Sequence, residues 1–257
     1  MEKKQILIAV KAYPNPSKSY GETVCCAGVD LATGKLIRLY PIPFRDLDDQ
    51  KKFKKYNVIE ILCFTPRDDK RPESHRVNSD SIRILEWWDT KDRWARRKSV
   101  VLPTLSASMC TVLKEAKDHD KSLALIRPDN VAFEWQKTRS TNQFAREACY
   151  AQLSFLNRKK EAIEKIPWDF YYDFRYQGLT DCPGHRLPII DWEIGQAYRD
   201  WRQKYKTEGD LLEKIRERWL GGMCSDKQDT YFFVGNMKRF RDKFMVLGTF
   251  YPPRGTS

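Results

Sequence analysis

Histidine is scarce, at three in 257 residues, which leaves few side chains that titrate near neutrality for acid–base chemistry. The phosphate loop GxxxxGK[ST], the GxGxxG fingerprint, the HExxH pair and the GxSxG elbow do not occur, so none of the sites these motifs build is indicated. No apolar run approaches the ~18 consecutive residues of a membrane helix. Ile6 to Val10 after Lys3-Lys4 is too short for a signal peptide, and Lys11, Pro14 and Pro16 follow it at once. The seven cysteines (25, 26, 63, 110, 149, 182 and 224) form no CxxC and no regular framework, which fits a reducing compartment rather than a disulfide scaffold. These absences lead us to expect a cytoplasmic protein with no membrane partner and no cofactor.

What is present is a foldable, basic chain. Hydrophobic residues make up 41% and aromatics 13%, against 32% charged, a composition far from that of disordered segments. Forty-seven Lys and Arg against thirty-five Asp and Glu leave a formal charge of +12, which favours a polyanionic partner without fixing a fold.

The N-terminal part reads as strands joined by turns: Gln5–Ala12, Glu22–Leu31, Lys35–Ile42, Val58–Phe64 and Ser81–Trp87. Gly34 suits the hairpin turn between the second and third of these. Period-two alternation then places Leu36, Arg38 and Tyr40 on one face, with Ile37 and Leu39 on the other. Asp46–Tyr56 and Asp89–Lys98 read as short polar helices or loops, and Arg67–Asp80 as a charged loop. Ser106 is the expected cap of a helix carrying Met109, Val112, Leu113 and Ala116. A boundary near residues 138 to 142 separates a β-rich region (1–139) from an α+β region (140–257). The latter comprises a helix over Asn142–Lys165, a strand over Trp168–Tyr176, a short apolar run at Leu187–Ile190, two amphipathic helices ending at Gly221-Gly222, and a terminal β-hairpin.

Val24-Cys25-Cys26-Ala27-Gly28-Val29-Asp30 followed by Gly34-Lys35-Leu36-Ile37-Arg38-Leu39-Tyr40-Pro41 resembles the N-terminal hairpin of poorly characterised bacterial proteins described as dual OB-fold domains. Leu123-Ala124-Leu125-Ile126-Arg127-Pro128 fits the same pattern less specifically. In that family the arginine is followed directly by proline, whereas here Leu39 and Tyr40 intervene. The resemblance implies an OB-like N-terminal barrel, and with the strand and helix pattern the expectation is an α+β protein with an OB-like or PUA-like barrel in its N-terminal region. It also implies a recognition or accessory role on DNA or RNA in bacterial antiphage defence, with other subunits of a defence complex as further partners.

The residues themselves offer the matching chemistry. Aromatics flanked by cations recur at Lys51-Lys52-Phe53-Lys54-Lys55, Arg93-Trp94-Ala95-Arg96-Arg97-Lys98 and Lys238-Arg239-Phe240-Arg241, a pairing that neutralises phosphates and offers rings for bases to stack on. The candidate nucleic-acid contacts are Arg38, Tyr40, Arg45, Lys52, Phe53, Lys55, Trp94, Arg96, Arg97, Lys238, Arg239, Phe240 and Arg241. Each cluster has a plain structural alternative, a solvated face with its aromatic in the core. The enzyme alternative is a metal-dependent nuclease with His185 as base and Asp191 and Glu193 as ligands of a divalent cation. Against it, Asp191 also suits a helix N-cap and Glu193 a first helical turn. Cys182 and His185 have metal-ligand character and Cys224 is a candidate third ligand, one short of the usual four, so no metal is assigned. His75 and His119 read as exposed bystanders. A third reading is a protein-interaction scaffold.

Overall fold

The chain reverses on Gly34, whose φ of +68° is the left-handed value a tight connection needs. The runs on either side pair antiparallel as β3 (Gly21–Asp30) and β4 (Leu36–Ile42). The structure, a computed structural model, describes residues 1–12, 15–17, 21–138, 166–176, 179 and 181–255; the helix expected over Asn142–Lys165 lies outside them. β1 (Glu2–Lys11) pairs with β3 on one side and with β5 (Asn57–Phe64) on the other. β5 pairs with the long β6 (Ser74–Trp87), and β6 meets β4 in parallel at Arg38–Ser74 and Leu39–His75. Five strands therefore close into a barrel in the order β1-β5-β6-β4-β3, and the short β2 (Asn15–Ser17) extends β3.

Alternation explains what each face of the barrel does. On β1, Ile6 and Ile8 point inward with Ile37, Leu39, Ile59 and Ile61, while Leu7 and Ala9 point outward against Leu123, Leu125, Phe233 and Leu247 from the C-terminal part. Burial on both faces is why this strand reads as a continuous apolar run. Phe53 packs within the inner cluster, and its ring meets Phe44 edge-on at 5.2 Å.

The expected loop over Arg67–Asp80 is half strand, because β6 begins at Ser74. Its polar start is held by backbone pairing at the barrel seam, which asks nothing of side-chain hydrophobicity. After β6 come α1 (Lys91–Val101), a 3-10 turn at Leu102–Thr104, and α2 (Met109–His119). Ser108, not Ser106, caps α2, accepting from the Thr111 N–H.

β7 (Leu123–Ile126), β11 (Tyr231–Met237) and β12 (Phe240–Phe250) form one antiparallel sheet. β8 (Ala132–Lys137), β9 (Trp168–Phe174) and β10 (His185–Pro188) form another. α3 (Trp192–Trp201) and α4 (Glu208–Arg216) bury the stripes read from the sequence, Ile194, Ala197 and Tyr198 on the first and Leu211, Leu212 and Ile215 on the second. α4 widens into a π-helical turn at Glu217–Gly222 that carries the Gly221-Gly222 stop. Among the described residues no helix is long and apolar enough to cross a membrane.

Candidate functional site

Arg38 leaves the barrel wall on β4 and lies against β11, where Gly235 makes room for it. A Cβ on Gly235 would stand 2.8 Å from the Arg38 Nη2 and 2.9 Å from a Leu247 methyl, so a larger residue here would displace the guanidinium. Arg38 is 3% exposed. Its Nη1 donates to the Asn236 carbonyl at 2.9 Å and its Nη2 to the Ser122 carbonyl at 2.6 Å. Arg71, from the loop joining β5 and β6, donates to the same Asn236 carbonyl at 3.0 Å and is clamped by the Asp69 carboxylate at 2.6 to 3.1 Å. Glu73 accepts from the Ser122 backbone and hydroxyl. Barrel and hairpin are thus joined by two arginines on one hairpin carbonyl, with Asp69 holding the second guanidinium in a fork.

These contacts frame a cavity of about 320 Å³. The β3–β4 face contributes Thr23, Cys25, Arg38 and Tyr40, the β5–β6 loop Asp68, Asp69 and Arg71, and the hairpin Asn236 to Arg239. Arg38, Arg71, Arg76, Lys238 and Arg239 face two carboxylates, Asp68 and Asp69, so the lining is cationic. Three polar atoms of residues that line this region are themselves buried and have no partner among the described residues: Arg38 Nε, Thr23 Oγ1 and Asn236 Oδ1. The Ser74 hydroxyl lies beside the Asp69 carboxylate and helps to keep it charged. A buried donor or acceptor left unmade costs ~1–3 kcal/mol, so three such atoms among the lining residues of one cavity set it apart. Burial holds the Cys25 thiol above its ordinary value despite Arg38 and Arg71, so it lines the cavity as a neutral group. His75, expected as a bystander, is also a lining residue, with its Nδ1 3.1 Å from the Glu73 carbonyl. A groove of about 640 Å³ along α4 is bordered by Asp210, Glu213 and Glu217 against Lys214 and Arg216, a poor match for an anion.

Of the thirteen candidate contacts, the cavity gathers Arg38, Tyr40, Lys238 and Arg239. Phe240 follows the two-residue turn at Lys238-Arg239 and is 53% exposed. Arg241 pairs with Asp120 at 2.6 Å, and Lys238 with Asp68 at 2.8 Å; among the described residues Arg239 has no ion pair.

In the other two clusters burial withdraws Phe53, Lys55 and Arg97, while Lys52 and Arg96 stay at the surface in ion pairs. Phe53 is 1% exposed and offers no face to a base. Lys52 is paired with Asp49 at 2.7 Å, and the Lys55 side chain is almost buried against Asp191 at 2.8 Å and Glu193 at 3.0 Å. Burial alone would lower the Lys55 pKa; Asp191 and then Glu193 outweigh it and hold the ammonium charged. Trp94 packs with Tyr251, Phe250 and Tyr56 at 5.2 to 5.8 Å. Arg97, 2% exposed, lies 3.7 Å over the Tyr56 ring and donates to the Trp88 carbonyl. Arg96 is forked to Glu86 at 2.7 Å, and Arg45 is partly buried in the 3-10 turn Phe44–Asp46.

The nuclease trio is not assembled either. Asp191 caps α3 by accepting from the Glu193 N–H at 3.0 Å, and its carboxylate is occupied by Lys55. His185 instead sits between thiols: its Nε2 is 3.3 Å from Cys110 Sγ and 3.5 Å from Cys182 Sγ. Cys110, and not Cys224, is the sulfur that joins Cys182 and His185.

The fold and the site together define a barrel-and-hairpin protein whose cationic cavity is assembled from both ends of the chain. Residues 105–257 match the family described as Domain of unknown function (DUF8757), and the chain belongs to that family. Residues 2–103 match a second, Domain of unknown function (DUF8758). The barrel strands lie in the first match and the hairpin in the second, so the cavity draws on both. No curated protein matches the chain.

Proposed function

We propose that the protein binds nucleic acid across the barrel–hairpin junction, seating the base of one nucleotide in the cavity and the neighbouring phosphates on Lys238 and Arg239. The observation that carries this reading is a cationic cavity of about 320 Å³ among whose lining residues a donor (Arg38 Nε), an acceptor (Asn236 Oδ1) and a hydroxyl (Thr23) lie buried without partners. A base edge presents donors and acceptors together, and its phosphates supply the negative charge. The volume falls at the small end of ligand sites, suited to one nucleotide rather than a large cofactor.

The strand order supports the OB-like reading. OB barrels hold oligonucleotides on the face of their second and third strands and on the loops joining strands one to two and four to five. Here β3 and β4 are the second and third barrel strands, and Asp68, Asp69 and Arg71 come from the loop between the fourth and fifth. Single strands are the expected ligand, because a paired base enters a pocket only after flipping out of its stack. The six cysteines among the described residues are free thiols, which fits action in a reducing cytoplasm. The setting in antiphage defence rests on the N-terminal resemblance alone.

Anisotropy titrations with labelled single- and double-stranded DNA and RNA test the reading. Single strands should bind more tightly than duplex, without cleavage in Mg²⁺ or Mn²⁺, and affinity should fall at least ~10-fold between ~50 and ~200 mM salt. Absence of binding to every strand type, or binding indifferent to salt, would contradict it.

A further inference from the structure

Cys110, Cys182 and His185 each offer one ligand atom, and the three atoms lie within 4.8 Å of one another. They come from two separate elements. Cys110 is in the first turn of α2, just after its Ser108 cap. Cys182 lies three residues before His185, which begins β10. The His185 ring is held by its neighbours, with the Phe174 ring 5.3 Å and the Tyr176 ring 6.0 Å away. Tyr176 is itself fixed to the start of α2, its hydroxyl accepting from the Met109 N–H at 3.0 Å. The imidazole therefore aims Nε2 at both sulfurs while the aromatic rings restrict its rotation.

We propose that Cys110, Cys182 and His185 bind a zinc ion that joins α2 to the 182–185 loop, with a water molecule at the fourth vertex. Tetrahedral zinc with Zn–S of about 2.3 Å and Zn–N of about 2.0–2.1 Å requires S···N edges of about 3.5 Å; those found are 3.3 and 3.5 Å. Two thiols and an imidazole are soft or borderline ligands, which suit zinc and exclude the hard cations that take oxygen. Each thiol gives up its proton to solvent as its sulfur bonds to the metal, so binding releases protons and tightens as pH rises. Nothing in this site depends on the nucleic-acid reading, since none of its residues lines the junction cavity.

The test uses the full chain, purified under reducing conditions and stripped with a chelator. Titration with Zn²⁺ against a chromogenic zinc indicator should show one tight equivalent, and Co²⁺ should give the intense visible bands of a tetrahedral site together with a thiolate-to-metal charge-transfer band. Cys110→Ser and His185→Gln should each weaken zinc binding by at least ~100-fold. Cys224→Ser should leave it unchanged, because that thiol is placed against Tyr172. The wild-type cobalt spectrum decides the matter even if a variant fails to fold. Absence of a tight equivalent, a cobalt spectrum without thiolate character, unaltered binding in the Cys110→Ser variant, or a Cys110–Cys182 disulfide found by mass spectrometry in the unreduced protein would overturn the proposal.

Discussion

Arg38 and Asn236 stand 198 positions apart in the chain and meet through a 2.9 Å hydrogen bond from the guanidinium to a backbone carbonyl. Arg71 donates to the same oxygen, so one carbonyl of the hairpin is shared by two arginines of the barrel region. Replacing Arg38 with Met removes the fork and leaves the Ser122 carbonyl without that donor. The expected cost is about 1.5–3 kcal/mol in urea denaturation, the range for hydrogen bonds to charged groups. Arg38→Lys should recover little of it, because an ammonium cannot span both carbonyls.

The hairpin turn should be separable from the fold. Lys238 and Arg239 are exposed, and among the described residues only Lys238 is paired, to Asp68 at the surface. Changing both to Glu should leave the melting temperature nearly unchanged, weaken single-strand binding at least ~10-fold, and lower the slope of log K against log salt by about 1–2. Unchanged affinity would remove the turn from the interface.

Phe240 is 53% exposed beside that turn. Phe240→Ala should cost ~1–3 kcal/mol of single-strand affinity, and less on duplex, where bases are already stacked. Melting curves of the variant should superimpose on wild type.

Asp191 and Lys55 make the opposite case, a charged pair that serves the fold. Lys55→Met strands a buried carboxylate and should destabilise the protein by about 3–5 kcal/mol, and Asp191→Ala should lower stability through loss of both pair and cap. Neither should change oligonucleotide affinity once the fold is confirmed by circular dichroism. A selective loss of metal-dependent cleavage in Asp191→Ala would restore the nuclease reading.

Acid should loosen the junction through Asp69. Burial works to raise its pKa, but the Arg71 hydrogen bond and charge prevail and depress it to about 2, from an ordinary 3.8. A depressed carboxylate stabilises the fold fully above its unfolded pKa, and that contribution is lost as pH falls from about 3.8 through about 2. Thermal melts across this window should therefore drop more steeply in wild type than in Asp69→Asn; parallel curves would contradict the assignment.

The sequence makes parts of this arrangement legible, and the reasons are local. Period-two alternation places Arg38 and Tyr40 on one face and locates the five barrel strands, because a strand buried on one or both faces writes that burial into its side chains. The polar start of β6 carries no such signal. The hairpin is visible as two strands around a basic segment from Met237 to Lys243, but Met237 pairs with Phe240, so the turn itself is only Lys238-Arg239. The clusters around Phe53 and Arg97 mislead because composition does not say which side of a turn faces the core. Asp69, Arg71 and Asn236 escape notice, since their meaning arises only where distant segments meet. Cys110 is likewise a single helical cysteine until α2 is packed beside His185.

The central claim, that a nucleotide enters the barrel–hairpin cavity, is tested most directly by photo-crosslinking a bound single strand to the full chain and mapping the adducts by mass spectrometry. Adducts should fall on cavity residues, with Cys25, Tyr40 and Met237 the nearest reactive side chains, and should disappear in the Lys238→Glu, Arg239→Glu double variant. Adducts confined to the Lys51–Lys55 and Arg93–Lys98 segments, with none on the cavity lining, would contradict it.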